Sequence, residues 1–148
     1  GRWYEISRYP NAFQKQCVSD SVARYALLPG GDVQVVNRCI LSSGRVQEAV
    51  GRAYRVGAEG SARLKVRFAP QWLSWLPMVW GDYWVVDLDD AYELVAVSEP
   101  SRQYLWVLSR SPKVDDARYA ALLGRLKVLG FEVDRLVPTA QTGAIEER

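Results

Sequence analysis

The sequence contains no histidine, and this absence excludes several kinds of functional site. A histidine-centred catalytic triad, a histidine-ligated zinc and a haem held by a proximal histidine all need an imidazole. The two cysteines, Cys17 and Cys39, are too few for a metal cage and do not form a C-x-x-C pair. They are either two buried thiols or one disulfide. The composition therefore predicts neither a metal site nor a cofactor.

An excess of charge of one sign is also missing. The chain has 19 lysines and arginines against 17 acidic residues, and the basic residues are scattered singly, which disfavours binding to nucleic acid. No apolar run reaches the roughly 18 residues that a membrane helix needs. No charged and apolar leader precedes Gly1, so we interpret any signal peptide as removed or never present. The 148 residues, 49% of them hydrophobic, predict a single domain over residues 1–148.

Short runs of alternating apolar residues fill the first three quarters of the chain. They recur about every 8 to 12 residues with turn residues between them, which is typical of an antiparallel barrel. Eight strands are predicted, at 2–9, 20–28, 33–41, 46–56, 61–68, 81–88, 92–98 and 103–110. If the sheet closes, the first strand meets the last. Trp3 and Arg110 would then stack at one end of the barrel through a cation-π contact.

After Pro112 the apolar period changes from two residues to that of a helix. The pattern predicts one amphipathic helix over about 115–129, with Asp115 as its N-cap and Gly130 in the C-terminal cap. The helix should pack outside the barrel. Residues 131–137 alternate again and predict a short edge strand, whereas residues 139–148 are expected to be frayed.

Three short motifs occur in an order typical of one family. The Gly1-x-Trp3-Tyr4-Glu5 opening, the Leu88-Asp-Asp-Ala-Tyr92 stretch and Ser109-Arg110 resemble the three signatures of the lipocalins. The second departs from the usual Thr-Asp-Tyr at the threonine and carries extra residues. Over residues 1 to about 137 the chain is similar to bacterial outer-membrane lipocalins and apolipoprotein-D-like relatives. This resemblance implies an all-β fold, an eight-stranded antiparallel up-and-down barrel or calyx with one C-terminal helix outside, which holds a small apolar ligand.

The resemblance and the strand alternation together indicate which side chains face the interior. The expected ligand contacts are Ala23, Tyr25, Val35, Asn37, Ala53, Val66, Phe68, Tyr83, Val85, Tyr104 and Trp106, and Leu27 shares their face. Small residues opposite aromatic ones indicate a cavity, although mutual packing of the aromatic rings remains the alternative. The expected ligand is a fatty acid or a lysophospholipid. Its head group would meet Arg8, Arg38 or Arg102 at the rim.

The implied barrel also places the two cysteines. Connections alternate between the two ends of an up-and-down barrel, so Cys39, late in the third strand, lies at the open rim beside the connection that contains Cys17. This placement favours a disulfide, which would stabilise the fold by roughly 3 kcal/mol. A disulfide predicts an oxidising compartment. With the resemblance, the expected location is the bacterial cell envelope, either the periplasm or the periplasmic face of the outer membrane.

Residues 69–80 form an unusually apolar connection at the predicted mouth. The stretch holds three tryptophans, two prolines and no charged residue. One interpretation is a lid packed on the barrel. The other is a surface, centred on Trp72, Leu73, Trp75 and Leu76, that contacts a membrane interface or a second copy of the chain in a homodimer.

Two other classes of function stay open beside lipid transport. A calyx enzyme, such as an isomerase or synthase, would use Glu5, Cys39 or Tyr83 as base or nucleophile. The sequence offers Glu5 no visible partner, so we expect no enzyme and no catalytic residue. A protein- or membrane-interaction module would use only the apolar loop.

Overall fold

The computed structural model describes residues 1–11, 14–55, 63–67 and 80–145. Its nine strands are β1 (Arg2–Arg8), β2 (Cys17–Leu27), β3 (Val33–Leu41), β4 (Val46–Arg55), β5 (Arg63–Arg67), β6 (Trp80–Leu88), β7 (Leu94–Ser98), β8 (Leu105–Ser109) and β9 (Val137–Pro138). Each of β1 to β7 pairs antiparallel with the next strand, and β8 pairs antiparallel with β1. The predicted antiparallel barrel is therefore confirmed.

The registers of β1 fix which of its side chains face inward. Trp3 lies opposite Ala23 of β2, while Glu5 and Arg8 lie opposite Leu108 and Trp106 of β8. The register shifts between Glu5 and Ser7, which marks a β-bulge at Ile6. Because a bulge inserts one extra residue into a strand, Glu5 and Arg8 both face the interior although three positions separate them.

The helix α1 (Asp116–Val128) covers the outer face of the sheet. The Asp115 carboxylate accepts a hydrogen bond from the Arg118 amide at 3.0 Å, and Gly130 follows the helix in a left-handed conformation with φ of 94°. Both predicted caps are confirmed. The cluster between helix and sheet consists of Tyr9, Leu94, Ala96, Leu105, Val107, Leu122, Leu126 and Phe131. Within the described ranges, no helix is long and apolar enough to cross a bilayer.

The segment after the helix differs from its prediction. Instead of an edge strand over 131–137, a short 3-10 helix (Val133–Arg135) precedes the two-residue β9. β9 pairs with Ser7 and Arg8 of β1, beyond the point where β1 still pairs with β2. The Thr139 amide then bonds to the Ile6 carbonyl, and the Asp20 amide bonds to the Ala140 carbonyl. The chain thus bridges the gap that opens between β1 and β2.

The prediction of a frayed tail was wrong for residues 139–145. Ile145 is 6% exposed and packs with Tyr4, Val22 and Ile40 in a second cluster on the outer face. The Asp20 carboxylate accepts hydrogen bonds from the Thr142 amide, the Thr142 hydroxyl and the Gly143 amide at 2.7 to 3.0 Å. The sequence pattern misses this anchoring because most of the bonds depend on one distant carboxylate.

Asp20 should therefore make the stability of the protein sensitive to acid. Burial would raise the pKa of Asp20, but hydrogen bonds from Thr142, Ser19 and Gly143 outweigh it and hold the pKa below its ordinary value of 3.8. Because folding lowers the pKa of Asp20, the ionised carboxylate stabilises the folded state fully at pH values above the ordinary pKa of 3.8. This stabilisation is lost as the pH falls through the pKa of Asp20 in the folded protein.

We expect Asp20→Asn to lower the free energy of unfolding at neutral pH by about 1 to 3 kcal/mol. Urea unfolding at several pH values measures it. The difference from the wild type should shrink as the pH falls from about 4 towards 2. Asp134→Asn, at an exposed position, should change stability little. A difference that is independent of pH would show that the Asp20 charge does not hold the tail.

Candidate ligand-binding site

The end of the barrel at which β1 begins contains the predicted stack. The Arg110 guanidinium carbon lies 4.0 Å from the centroid of the Trp3 ring, and its Nη1 donates to the Arg2 carbonyl at 3.2 Å. A Cβ on Gly1 would meet the end of this guanidinium, so a side chain there would have to displace the stacked arginine. The Gly1 amino group donates to the Tyr25 carbonyl at 2.6 Å. These contacts tie the start of the chain to the last strand of the barrel.

Arg110→Ala should destabilise the protein by about 1 kcal/mol, because the guanidinium is exposed on one side and contributes one stack and one hydrogen bond. Thermal unfolding measures the change. Arg110→Lys, which keeps the charge but loses the planar group, should recover only part of it. A melting temperature equal to that of the wild type for Arg110→Ala would mean that the stack contributes nothing.

The second motif forms the turn between β6 and β7. The Asp89 carboxylate accepts hydrogen bonds from the Glu93 and Leu94 amides at 2.7 and 3.2 Å and pairs with Arg118 of α1. Tyr92 has a left-handed φ of 57°, and its side chain is 66% exposed. Asp89 therefore shapes the turn and joins it to the helix, whereas Tyr92 lies on the surface.

The inner wall of the barrel holds an apolar cluster around β3 and β4. Val35 and Ala53 are 1% and 0% exposed, and Tyr25, Val33 and Tyr83 pack against them. Four of the predicted ligand contacts, Tyr25, Val35, Ala53 and Tyr83, are thus brought together. Alternation along the strands explains it, since residues two apart share one face of the sheet.

A group of aromatic rings continues this wall. The Trp106 ring centroid lies 5.3 Å from that of Tyr83 and 5.8 Å from that of Tyr104, on which it stacks. Burial raises the pKa of Tyr25 to about 12. Burial first, and then the neighbouring Tyr25, raises the pKa of Tyr83 as well. Both phenols are therefore neutral at physiological pH and act as hydrogen-bonding groups inside an apolar wall.

The other predicted contacts are less closely grouped. Ala23 is buried opposite Trp3 and Asn37, and Asn37 and Val85 are half-buried. The backbone of Val66 pairs with Ala53 and Gly81, but its side chain lies outside the described residues. Phe68 and the apolar loop with Trp72, Leu73, Trp75 and Leu76 also lie outside them. Leu27 is 79% exposed, so the expectation that it lines the interior was wrong.

A polar network that the sequence does not reveal surrounds Glu5. This residue is 3% exposed, and its carboxylate accepts hydrogen bonds from Arg8 Nη1 at 2.8 Å, Gln14 Nε2 at 2.8 Å and Thr139 Oγ1 at 2.5 Å. Gln14 Oε1 accepts from the Trp106 indole at 2.8 Å. The expectation that Glu5 lacks a partner was wrong. Only Arg8, three residues away along the chain, could have been found as a partner by sequence spacing.

The three candidate head-group arginines are all occupied. Arg8 forms the buried ion pair with Glu5 and donates from Nη2 to the Gln14 and Cys17 carbonyls. Arg38 pairs with Glu48 at 2.6 Å on the surface, and Arg102 lies 4.7 Å above the Phe131 ring next to the helix. None of these arrangements resembles a free rim cation.

The two cysteines form a disulfide, as the topology predicts. Cys17 opens β2 and Cys39 lies late in β3. The bond fixes the start of β2, and the Cys17 carbonyl accepts from Arg8. Cys39 consequently has no thiol in this state, which removes one of the three groups that an enzyme in this calyx would use.

Comparison with known proteins assigns the family. The family model described as the lipocalin-like domain matches residues 1–141. The chain is 37% identical to temperature-induced lipocalin-1 of Arabidopsis thaliana over 96% of its length and 76% of that protein. It is 34% identical to the outer membrane lipoprotein Blc of Citrobacter freundii, over 97% of this chain and 77% of the relative. The chain therefore belongs to the lipocalin family, whose members generally bind or transport small hydrophobic ligands.

Solved structures agree on the fold. The structure of H1 crustacyanin from the lobster Homarus americanus superposes with a TM-score of 0.74 at 16% identity. The match covers 97% of this chain and 77% of the lobster protein. At that identity the likeness concerns the barrel and not its ligand.

Proposed function

We propose that the protein binds a fatty acid or a lysophospholipid inside the barrel. The observation that carries the proposal is the accessibility of the inward-facing aromatic residues. Tyr25, Tyr83, Tyr104 and Trp106 face the interior, yet each is only half-buried. In a filled barrel, facing side chains would cover one another completely. An apolar ligand would cover the rings that remain accessible on this inner wall.

The wall suits a long apolar chain with few polar contacts. The acyl chain would lie against these accessible rings and against Val85, which is half-buried. Ala23, Val35 and Ala53, which are at most 7% exposed, would support the wall from behind. About ten buried methylenes at about 0.8 kcal/mol each support micromolar binding after the costs of association. Because the three candidate arginines are engaged elsewhere, the charged head group would remain in water at the mouth.

Titration with a fluorescent fatty acid tests this proposal. We expect saturable binding with one site for each chain, together with a change in tryptophan emission, since Trp106 lines the interior. Unlabelled dodecanoate and a lysophospholipid of equal chain length should displace the probe. An absence of saturable binding by either lipid would overturn the proposed function.

We further propose that the apolar connection at 69–80 contacts a membrane surface, a proposal carried by its sequence alone. Replacing Trp72, Leu73, Trp75 and Leu76 with serine should lower partitioning onto lipid vesicles, at about 1 to 2 kcal/mol for each apolar side chain lost. The melting temperature should remain nearly unchanged. A large drop in melting temperature with vesicle binding intact would identify the loop as a lid instead. Loss of a dimer in the same variant would identify a contact between two copies.

An oxidising compartment of the bacterial cell envelope is the location that we propose. The disulfide supports it, since such bonds persist outside the reducing cytosol. The relatives named outer membrane lipoprotein support it as well, although the plant relative shows that the family is wider. Fractionation of cells that express the native gene, with detection of the protein in the envelope fraction, tests this location.

A further inference from the structure

The Tyr25 hydroxyl is a polar group on the inner wall, next to the apolar side chains of Val35 and Ala53. Among the residues that the structure describes, none forms a hydrogen bond with this hydroxyl. Its neighbours on the inner wall are Val35 and Ala53, which are apolar, and Tyr83, whose phenol is close enough to interact with it electrostatically. A hydroxyl in such surroundings costs free energy unless water or a bound molecule supplies a hydrogen bond.

Tyr25 lies towards the end of the barrel that holds the Trp3–Arg110 stack. The Tyr25 amide donates a hydrogen bond to the Gly1 carbonyl at 2.8 Å, and the Gly1 nitrogen donates one to the Tyr25 carbonyl at 2.6 Å. Gly1 is next to the Arg110 guanidinium that stacks on Trp3. Two residues after Tyr25, β2 ends and turns into β3 at the same end. A chain that enters from the mouth would therefore reach Tyr25 with its buried terminus.

We propose that the ligand carries an uncharged hydrogen-bonding group, such as a hydroxyl, at the end that lies inside the barrel, and that this group bonds to Tyr25. This inference rests on the proposed function and narrows it to chains that are polar at both ends. An uncharged group fits better than a carboxylate, because the described neighbours of Tyr25 offer an anion no cation. The neutral phenol, whose pKa burial raises to about 12, is able both to donate and to accept a hydrogen bond.

Two chains that differ by one hydroxyl test the inference. Isothermal titration would compare dodecanoate with ω-hydroxydodecanoate, which share the carboxylate and the chain length. We expect the wild type to bind the hydroxylated chain about threefold to tenfold more tightly, as one net hydrogen bond allows. In Tyr25→Phe the preference should reverse, since the ligand hydroxyl then enters an apolar site without its partner.

Tyr4→Phe is the matched control. It removes the same phenolic hydroxyl from β1, but Tyr4 packs in the outer cluster under the tail, so the preference of the wild type should persist. Equal binding of both chains by the wild type would overturn the inference and leave the proposed function intact. A preference that survives in Tyr25→Phe would also overturn it. If neither chain binds, the proposed function itself fails.

Discussion

We expect Ala53→Trp to abolish the proposed binding of a fluorescent fatty acid while the barrel remains folded. Ala53 is fully buried in the inner cluster with Val35, Tyr25 and Tyr83. An indole at this position would push the rings of Tyr25 and Tyr83 into the space that several methylenes of the ligand would occupy. Each methylene contributes about 0.8 kcal/mol to binding. The expected loss of affinity is therefore several kcal/mol, whereas overpacking costs the fold about 1 to 3 kcal/mol. Fluorescence titration gives the first quantity and urea unfolding the second.

Val50→Trp is the matched control for this experiment. Val50 lies on the same strand, β4, but on the outer face, and it is 44% exposed. The same indole placed there should leave the affinity for the fatty acid within about twofold of the wild type. Normal binding by a folded Ala53→Trp protein would mean that the acyl chain does not occupy the barrel.

Arg8→Met lowers the free energy of unfolding by about 3 to 5 kcal/mol, because it leaves a buried carboxylate without its cation. The side chains of Arg8 and Glu5 are 17% and 4% exposed, and their ion pair measures 2.8 Å. Arg8 also donates to the Gln14 and Cys17 carbonyls, which would lose these bonds. Chemical denaturation at neutral pH measures the change.

Two further variants test whether the stability lost in Arg8→Met arises from the burial of the ion pair and from the unpaired charge of Glu5. Arg38→Met breaks the pair with Glu48, whose side chains are both more than 40% exposed, and should cost at most about 1 kcal/mol. The double variant Arg8→Met with Glu5→Gln should recover part of the stability, since the uncompensated charge is then removed. Equal costs for Arg8→Met and Arg38→Met would contradict a buried role for the Glu5 ion pair.

The barrel and its helix could be predicted because their signals are local. Alternation of apolar residues gives strands, and their spacing gives the number of strands in the barrel. The caps at Asp115 and Gly130 lie within a few residues of the helix that they end. The same period of two groups Tyr25, Val35, Ala53 and Tyr83 on one face of their strands, and the resemblance to lipocalins implies that this face points inward. The pairing of neighbouring strands brings these four side chains together in one cluster.

The network at Glu5 and the anchored tail could not be predicted in this way. Thr139 reaches Glu5 across more than a hundred residues, and Asp20 binds Thr142 and Gly143 over a similar separation. Such bonds depend on where β1 and β2 diverge and on the bulge at Ile6, neither of which has a signature in the sequence. The prediction that Leu27 lines the interior was wrong for a related reason. Alternation indicates which face of the strand a side chain lies on, but not whether the barrel still encloses that position.

Native mass spectrometry of the gently purified protein tests the central claim, lipid binding inside the barrel, most directly. We expect the wild-type protein to carry one non-covalent adduct with the mass of a long-chain amphiphile. Added dodecanoate should displace this adduct. The Ala53→Trp protein, purified in the same way, should appear at its bare mass, while Val50→Trp keeps the adduct. An equal adduct on Ala53→Trp, or a wild type that takes up no lipid even when dodecanoate is added, would contradict it.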